Sequence, residues 1–248
     1  MVEKRRLDVE LTARGLAPSR ARAQAFILAG KVSVDGRVVT KAGTPVTDAA
    51  RIDVAEPDHP WVSRGALKLE AALDAFSIDP AGLDCLDVGA STGGFTDLML
   101  ARGAARVIAL DVGRSQLDWR LRTDDRVTVL EGVNARHLEP GDLPFPAALA
   151  TVDVSFISLR LVVPALVPHL EPGGWLVCLV KPQFEAGRDE VGKGGIVRDE
   201  AVRRRVIDDT VAAVVALGFD LVGVVESPIR GQKGNLEELA VFRWRPRI

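Results

Sequence analysis

The sequence predicts an α/β protein: a doubly wound, seven-stranded, mostly parallel sheet preceded by a small α+β module. Three observations predict it. Beyond residue 61, short apolar runs alternate with amphipathic stretches of helical period, as they do when helices cover both faces of a parallel sheet. Ahead of residue 60 the pattern is instead two short helical stretches followed by a hairpin. Between the two lies Glu56–Pro60, a short stretch bounded by prolines. The expected division is a first domain over 1–57, a linker over 58–63 and a second domain over 64–248.

A chain of 248 residues has room for a small core and a medium one. With 47% hydrophobic and 27% charged residues it reads as globular. No apolar run approaches the roughly 20 residues of a membrane helix. The best candidate, Leu161–Leu170, is interrupted by Pro164, Pro168 and His169. The charged start, Met1–Glu10, lacks the apolar core of a signal peptide. A cytoplasmic protein with no membrane partner is expected, a monomer by default. Cys85 and Cys178 fall inside apolar runs and read as reduced core thiols. His59, His137 and His169 have no metal-ligand spacing, so no metal site is expected.

In order along the chain, Arg6–Arg14 sets Leu7 and Leu11 at helical spacing and stops at Gly15. Ser19 caps a second helix over Arg20–Ala29, which stops at Gly30. Val32–Val34 and Arg37–Val39 flank Asp35-Gly36, a hairpin turn, and Val46 and Arg51–Val54 supply further short strands. Arg64–Phe76 is an amphipathic helix with Leu69, Leu73 and Phe76 on one face. Buried strands follow at Leu83–Val88, Arg106–Leu110, Val127–Leu130, Leu149–Val152 and Trp175–Val180. The helices between and after them are Gly94–Ala101, Gln116–Leu121, Leu159–Val167 and Glu200–Leu217. Two last strands, Asp220–Glu226 and Glu238–Phe242, have no helix between them. That ending marks a class I, Rossmann-like methyltransferase sheet rather than a plain dinucleotide domain.

Charge is distributed unevenly. The net charge is −2, yet residues 1–41 hold nine basic and four acidic side chains, a local balance of +5 that leaves −7 for the rest. A basic head on an acidic body suits contact with phosphate, although a solvated face would look the same. The run RLDVELTARGLAPSRARAQAFILAGKVSVDGRVVTKAG resembles the S4 RNA-binding domain over about the first 55 residues. It does so in its leucine spacing before Gly15-Leu16, its Ser19-Arg20 step and its Gly30-Lys31-Val32 to Gly36 turn. The resemblance implies docking on structured RNA. Arg5, Arg6, Arg20, Arg22, Lys31 and Lys41 are the candidate phosphate contacts. Phe26 is the only aromatic here and its spacing makes it core. The module should therefore read RNA shape and backbone more than base identity.

The sharpest local motif is Leu86-Asp87-Val88-Gly89-Ala90-Ser91-Thr92-Gly93-Gly94-Phe95-Thr96, a strand, a glycine turn and a helix start. Glycines let backbone approach a ligand closely. A dinucleotide would call for G-x-G-x-x-G with its pyrophosphate at the helix N-terminus. Here the register is G-x-x-x-G-G and the carboxylate of Asp87 stands two residues ahead of it. That charge repels a pyrophosphate but suits the ammonium of a methionine moiety, which favours S-adenosylmethionine over a nicotinamide cofactor. Asp111, at the end of the second strand with Val112 beside it, can accept from both ribose hydroxyls. Asn134, after the third strand, is either an adenine contact or a plain loop asparagine.

Four ionisable residues stand out: Lys68 on the helix before the first strand, Asp153 ending the fourth strand, Lys181 ending the fifth and Glu237 opening the last. Ligands bind at strand C-termini in such sheets. The order and placement resemble the K-D-K-E tetrad of FtsJ-like ribose 2′-O-methyltransferases. WVSRGALKL, DVGASTGGFTD, DVSFISL, VKPQFE and GNLE extend the resemblance to the TlyA family, from about Arg6 to Phe242. That family methylates cytidine 2′-hydroxyls in large-subunit (23S) ribosomal RNA and, in some members, small-subunit (16S) RNA. The resemblance thus implies S-adenosylmethionine as cofactor, ribosomal RNA or its subunits as partner, and Lys68, Asp153, Lys181 and Glu237 as the catalytic group. A longer tail after the last strand is not in this sequence, which leaves the subunit open.

The chemistry fits those residue types. A ribose 2′-hydroxyl is a poor nucleophile whose proton must leave as the methyl group transfers. Lys181 can take that proton if it is partly neutral, or stay charged and stabilise a developing alkoxide. Both roles remain open. Asp153 and Glu237 can orient the two ammonium groups, and Asp153 can favour a sulfonium. Rival chemistries lack their residues. Amino-group methylation wants D/N-P-P-Y/F where this chain has Asp153-Val154-Ser155-Phe156, and carbon-5 methylation wants a cysteine at a strand end. A pseudouridine synthase needs a catalytic Asp in an Arg-Leu-Asp box. The only such box, Arg6-Leu7-Asp8, is used in the small module. A vestigial methyltransferase fold that only binds RNA, and a membrane-active haemolysin, are the remaining alternatives. The second finds no long basic amphipathic helix to support it. Glu185–Gly195, glycine-rich and charged, is expected to be a mobile cover over the target nucleotide.

Overall fold

The computed structural model describes residues 4–17, 19–28, 30–55, 59–231 and 233–245. Ala29, expected to end the second helix, and residues 56–58, at the end of the expected first domain and the start of the expected linker, lie outside them. The chain divides into two compact units, Met1–Pro60 and Trp61–Ile248.

In the first unit β1 (Lys4–Arg6) leads into α1 (Leu7–Ala13). Then come α2 (Arg20–Leu28), β2 (Val32–Val34), β3 (Arg37–Val38), β4 (Pro45–Thr47) and β5 (Ile52–Val54). The second helix begins as its cap residue demands: the Ser19 hydroxyl accepts from the Arg22 amide at 3.2 Å. Asp35 and Gly36 both have positive φ (50° and 77°), the geometry of a tight hairpin turn between β2 and β3. β5 completes a three-stranded antiparallel sheet against β2. Leu7, Leu11, Ala23, Ile27 and Val32, all fully buried, form the core. Two details were not anticipated. Lys4–Arg6 pairs as a strand with Pro45–Thr47, and Phe26 is only half-buried, with the Arg22 guanidinium 5.2 Å from its ring centre.

The second unit opens with α3 (Ala66–Ala75). It continues with β6 (Asp84–Val88), α4 (Gly94–Ala101), β7 (Arg106–Asp111), α5 (Trp119–Arg122), β8 (Val127–Glu131), β9 (Ala147–Val152), α6 (Leu159–Leu166), β10 (Leu170–Val180), α7 (Pro182–Glu185), α8 (Glu200–Ala216), β11 (Phe219–Glu226) and β12 (Glu238–Trp244). The sheet order is β11-β12-β10-β9-β6-β7-β8, with β12 antiparallel to both neighbours and β6 to β10 parallel. Period-two alternation within the strands sorts the core into two layers. Leu86, Val88, Ala240 and Phe242 face α6 and α8; Cys85, Leu239 and Val241 face α3 and α4. Burial on both faces explains why these strands read as continuous apolar runs.

This topology positions the site. The C-termini of β6, β9 and β10 share one edge. β12 runs the other way, so its start lies at that same edge. The connection from β11 to β12 therefore brings Ile229, Arg230, Gly231 and Glu237 to the mouth of the parallel strands. Among the described residues no helix is long and apolar enough to cross a membrane.

Candidate active site

The glycine turn after β6 is held open from below. Gly89 and Gly93 have φ of +86° and +95°, and Ser91 joins them at +50°. The Gly89 and Ala90 amides both donate to the Leu110 carbonyl (2.8 and 3.1 Å). A Cβ on Gly89 would collide with the Asp153 backbone carbonyl, and one on Gly94 with the Ser63 side chain. Only glycine fits either position without displacing the wall of the site.

Asp87 is 1% exposed. Its Oδ2 accepts from the Thr96 amide at 2.9 Å and the Thr96 hydroxyl at 2.7 Å, which ties β6 to the first turn of α4. Thr151 donates to Oδ1 at 3.3 Å. Burial pushes the Asp87 carboxyl up to about 7; the bonds from Thr96 oppose that rise and the nearby Asp153 charge adds to it. Asp111 uses both carboxylate oxygens on backbone: Ser91 donates to one at 2.8 Å and Gly113 to the other at 2.6 Å.

Asp87, Gly89, Ala90, Ser91, Thr92, Gly94, Phe95 and Asp153 line one cavity of about 300 Å³ together with Lys68 and the chain at Ser63–Gly65. Gly93, Asp111, Val112 and Asn134 are not in its lining. Val112 is 70% exposed beside Asp111. The exposed Asn134 accepts from the Arg136 amide through its side chain, as the cap of a short 3-10 turn.

Lys68, Asp153, Lys181 and Glu237 all line a second cavity of about 370 Å³, which shares Lys68, Gly89, Ser91, Asp153 and Gly231 with the first. The four side chains form two ion pairs. Lys68 Nζ lies 2.6 Å from Glu237 Oε2, both residues being buried. Lys181 Nζ lies 2.5 Å from Asp153 Oδ1 and donates to the Ser155 hydroxyl at 3.0 Å. Gln183 steadies the other Glu237 oxygen at 3.3 Å. Each ammonium thus has a carboxylate that fixes its position at the cavity wall.

Several residues of this site went unread in the sequence. Ser63 and Arg64 precede α3 with no local sign of ligand contact, and Ser155 and Gln183 are ordinary polar neighbours of a tetrad member. Phe156 carried a signal that only coordinates reveal. It is 89% exposed, has φ of +64° and sits 5.0 Å from the Phe184 ring, a strained and solvent-facing aromatic at the cavity mouth. Glu185–Gly195, expected to be a mobile cover, carries one short local turn and one ion pair to α8. Its residues 188–190 form a 3-10 turn and Glu190 pairs with Arg205 of α8 at 2.5 Å.

In the first unit a buried carboxylate organises the candidate RNA contacts. Asp8, fully buried, accepts from Arg6 (2.9 and 3.0 Å), Arg20 (3.0 Å) and Gln24 (2.7 Å). Arg6 and then burial, Gln24 and Arg20 set its balance, holding the carboxyl well below the usual range. Arg6 and Arg20 keep about half of their side chains in solvent. Elsewhere, burial pushes the Cys85 thiol up to about 12 and raises that of Cys178, so neither is a ready nucleophile. Among the described residues no three His, Cys, Asp or Glu side chains gather as metal ligands.

Comparison with known proteins agrees with this construction. Residues 61–244 match the FtsJ-like methyltransferase family and residues 5–52 the S4 domain. A Mycobacterium tuberculosis protein named 16S/23S rRNA (cytidine-2′-O)-methyltransferase TlyA is 49% identical over 98% of this chain and 90% of its own length. Hemolysin A of Brachyspira hyodysenteriae is 42% identical over 96% of this chain and 99% of its own. A solved structure described as a putative hemolysin from Streptococcus thermophilus superposes with a TM-score of 0.78 at 42% identity, covering 99% of this chain and 90% of that one. The chain belongs to the FtsJ-like methyltransferase family, as an S4-bearing member of its TlyA group.

Proposed function

We propose that this chain transfers a methyl group from S-adenosylmethionine to the 2′-hydroxyl of cytidine ribose in ribosomal RNA, with the large subunit as first substrate. The observation that carries the reading is the pairing of Lys68 with Glu237 and of Lys181 with Asp153 in one cavity that opens into the cavity of the glycine turn.

The glycine-turn cavity suits the cofactor on its own chemistry. Positions 89 and 94 have no room for a side chain, Asp87 and Asp153 supply negative charge toward cationic groups, and Asp111 stands at the strand end where a ribose would lie. Bound there, S-adenosylmethionine supplies an electrophilic methyl group. The protein's own residues do the rest. Asp153 holds Lys181 at the end of β10, and Lys181 Nζ lines the cavity where it can take the proton of an entering 2′-hydroxyl or stabilise the alkoxide as that proton leaves. Glu237 keeps Lys68 within reach of the same oxygen. The exposed Phe156 ring offers a flat face for an unstacked base, so the ribose can be presented out of its helix.

A protein that binds RNA through a vestigial fold would not keep two paired ammonium groups around a cavity. The membrane-active reading rests on the hemolysin names of relatives, while among the described residues no helix is long and apolar enough to cross a membrane. The decisive experiment incubates the chain and labelled S-adenosylmethionine with separated large and small ribosomal subunits, then maps ribose methylation by reverse-transcription stops at low nucleotide concentration. Label at a cytidine 2′-oxygen of the large subunit is expected. Label on a base, or none on either subunit, contradicts the proposal.

A further inference from the structure

A third cavity, of about 440 Å³, lies beside the tetrad and takes no part in the chemistry above. Its walls are the segment that leads into α8 and the connection from β11 to β12. Arg198, Arg203, Arg230 and Lys233 line it, with Glu200 at its rim. Arg203 is neutralised by Glu238 at 3.2 Å and approaches Glu200 at 3.9 Å. The other three cations are different. Among the described residues no carboxylate lies within ion-pair distance of Arg198, Arg230 or Lys233, and the partner of Arg230 is the neutral Gly234 carbonyl at 3.1 Å. Three uncompensated cations around one concavity are electrostatically unfavourable unless an anion offsets them.

The cavity is also fixed in place. Asn235, 3% exposed, donates to the Gly195 carbonyl at 2.8 Å and accepts from the Val197 amide at 3.1 Å, so it clamps the two walls together. Lys233 and Asn235 border both this cavity and that of the tetrad. A chain leaving the catalytic cavity on that side crosses directly into the basic one.

We propose that this cavity is a phosphate subsite, which seats a backbone phosphate of a nucleotide neighbouring the target ribose. The idea rests on the reading of the tetrad as an RNA-modifying site and adds what anchors the strand next to it. Guanidinium groups suit the task, because they offer paired donors to phosphate oxygens and keep their charge. Free inorganic phosphate has the same chemistry, and competition separates the two sources.

The test uses full-length Arg198→Gln and Arg198→Gln/Lys233→Gln chains with ribosomal substrate. KM and binding affinity for RNA should weaken about 5- to 10-fold per cation removed at 0.1 M salt. The slope of log affinity against log salt should flatten by about 1 for each. Cofactor affinity should stay within about twofold for Arg198→Gln, and Arg198→Lys should recover part of the loss. Inorganic phosphate, added at constant ionic strength, should raise KM for the wild type more than for the double variant. Unchanged affinity and salt slope in the double variant would overturn the subsite, as would equal inhibition by phosphate. Salt-dependent binding that is lost in the variants while even the wild type transfers no methyl group would keep the subsite and sink the enzymatic reading instead.

Discussion

Glu237→Gln separates what the tetrad does for the fold from what it does for chemistry. The substitution keeps the shape of the side chain but removes the carboxylate that lies 2.6 Å from Lys68 Nζ. Glu237 is 2% and Lys68 8% exposed, so the ammonium loses its partner where water compensates only partly. Breaking a buried pair from one side costs about 3–5 kcal/mol. The cavity gives Lys68 some solvent, which places the expected loss near the lower end, about 3 kcal/mol. For a unit of this size each kcal/mol moves Tm by about 2–4 °C, so a fall of roughly 6–12 °C is expected. The assay is thermal unfolding of the second unit, run beside Lys68→Met and Lys68→Met/Glu237→Leu. The double variant should recover most of the stability, since an apolar pair leaves no stranded charge, yet remain inactive. A Tm for Glu237→Gln within 2 °C of wild type, or a double variant no more stable than the single one, would refute the argument from burial.

Cofactor affinity should depend on pH through Asp87. Burial raises its carboxyl to about 7, and only the ionised form attracts a cationic ligand. The dissociation constant should therefore be flat above pH 7 and rise up to tenfold per pH unit below it, a dependence that calorimetry should find abolished in Asp87→Asn. Gly89→Ala puts a Cβ into the Asp153 carbonyl at a φ of +86° and should cost roughly 2–6 kcal/mol of stability, with loss of cofactor binding, measured by denaturant titration. Asp8→Asn releases Arg6 and Arg20. Because the folded carboxyl is held below its unfolded value, the stability it contributes is present at neutral pH and disappears as pH falls below about 4. The variant should accordingly lose roughly 1–3 kcal/mol at pH 7 and approach wild type in acid, a difference readable in chemical denaturation of the first unit.

Much of the architecture was legible because the physics that shapes it is local. Strands buried on both faces must be continuous apolar runs, which made β6, β7 and β9 visible within a residue or two, whereas β10 begins five residues ahead of the expected Trp175. The Ser19 cap and the Asp35-Gly36 turn are satisfied by neighbours in sequence. The tetrad was legible by its order and placement, but its pairing was not. Lys68 and Glu237 are 169 residues apart, and nothing in either neighbourhood says which carboxylate faces which ammonium. Asp8 shows the same limit: its burial beneath two arginines depends on how α1 and α2 pack. Helix α5 is only Trp119–Arg122 because Asp118 caps its start, its side chain accepting from the Arg120 amide at 3.0 Å. The role of Asn134 as the cap of a 3-10 turn was not part of either reading of it. The Glu190–Arg205 link was not legible in the Glu185–Gly195 stretch, because its partner comes from a helix that begins later in the chain.

In the proposed reaction Lys181, held by Asp153, acts on a ribose oxygen. Single-turnover methyl transfer to large ribosomal subunits by Lys181→Ala, with cofactor and RNA affinity measured on the same preparation, tests it most directly. A rate lowered by about 10²–10⁴ with both affinities within severalfold of wild type is expected. Transfer at the wild-type rate, or a loss explained wholly by weaker binding, would contradict it.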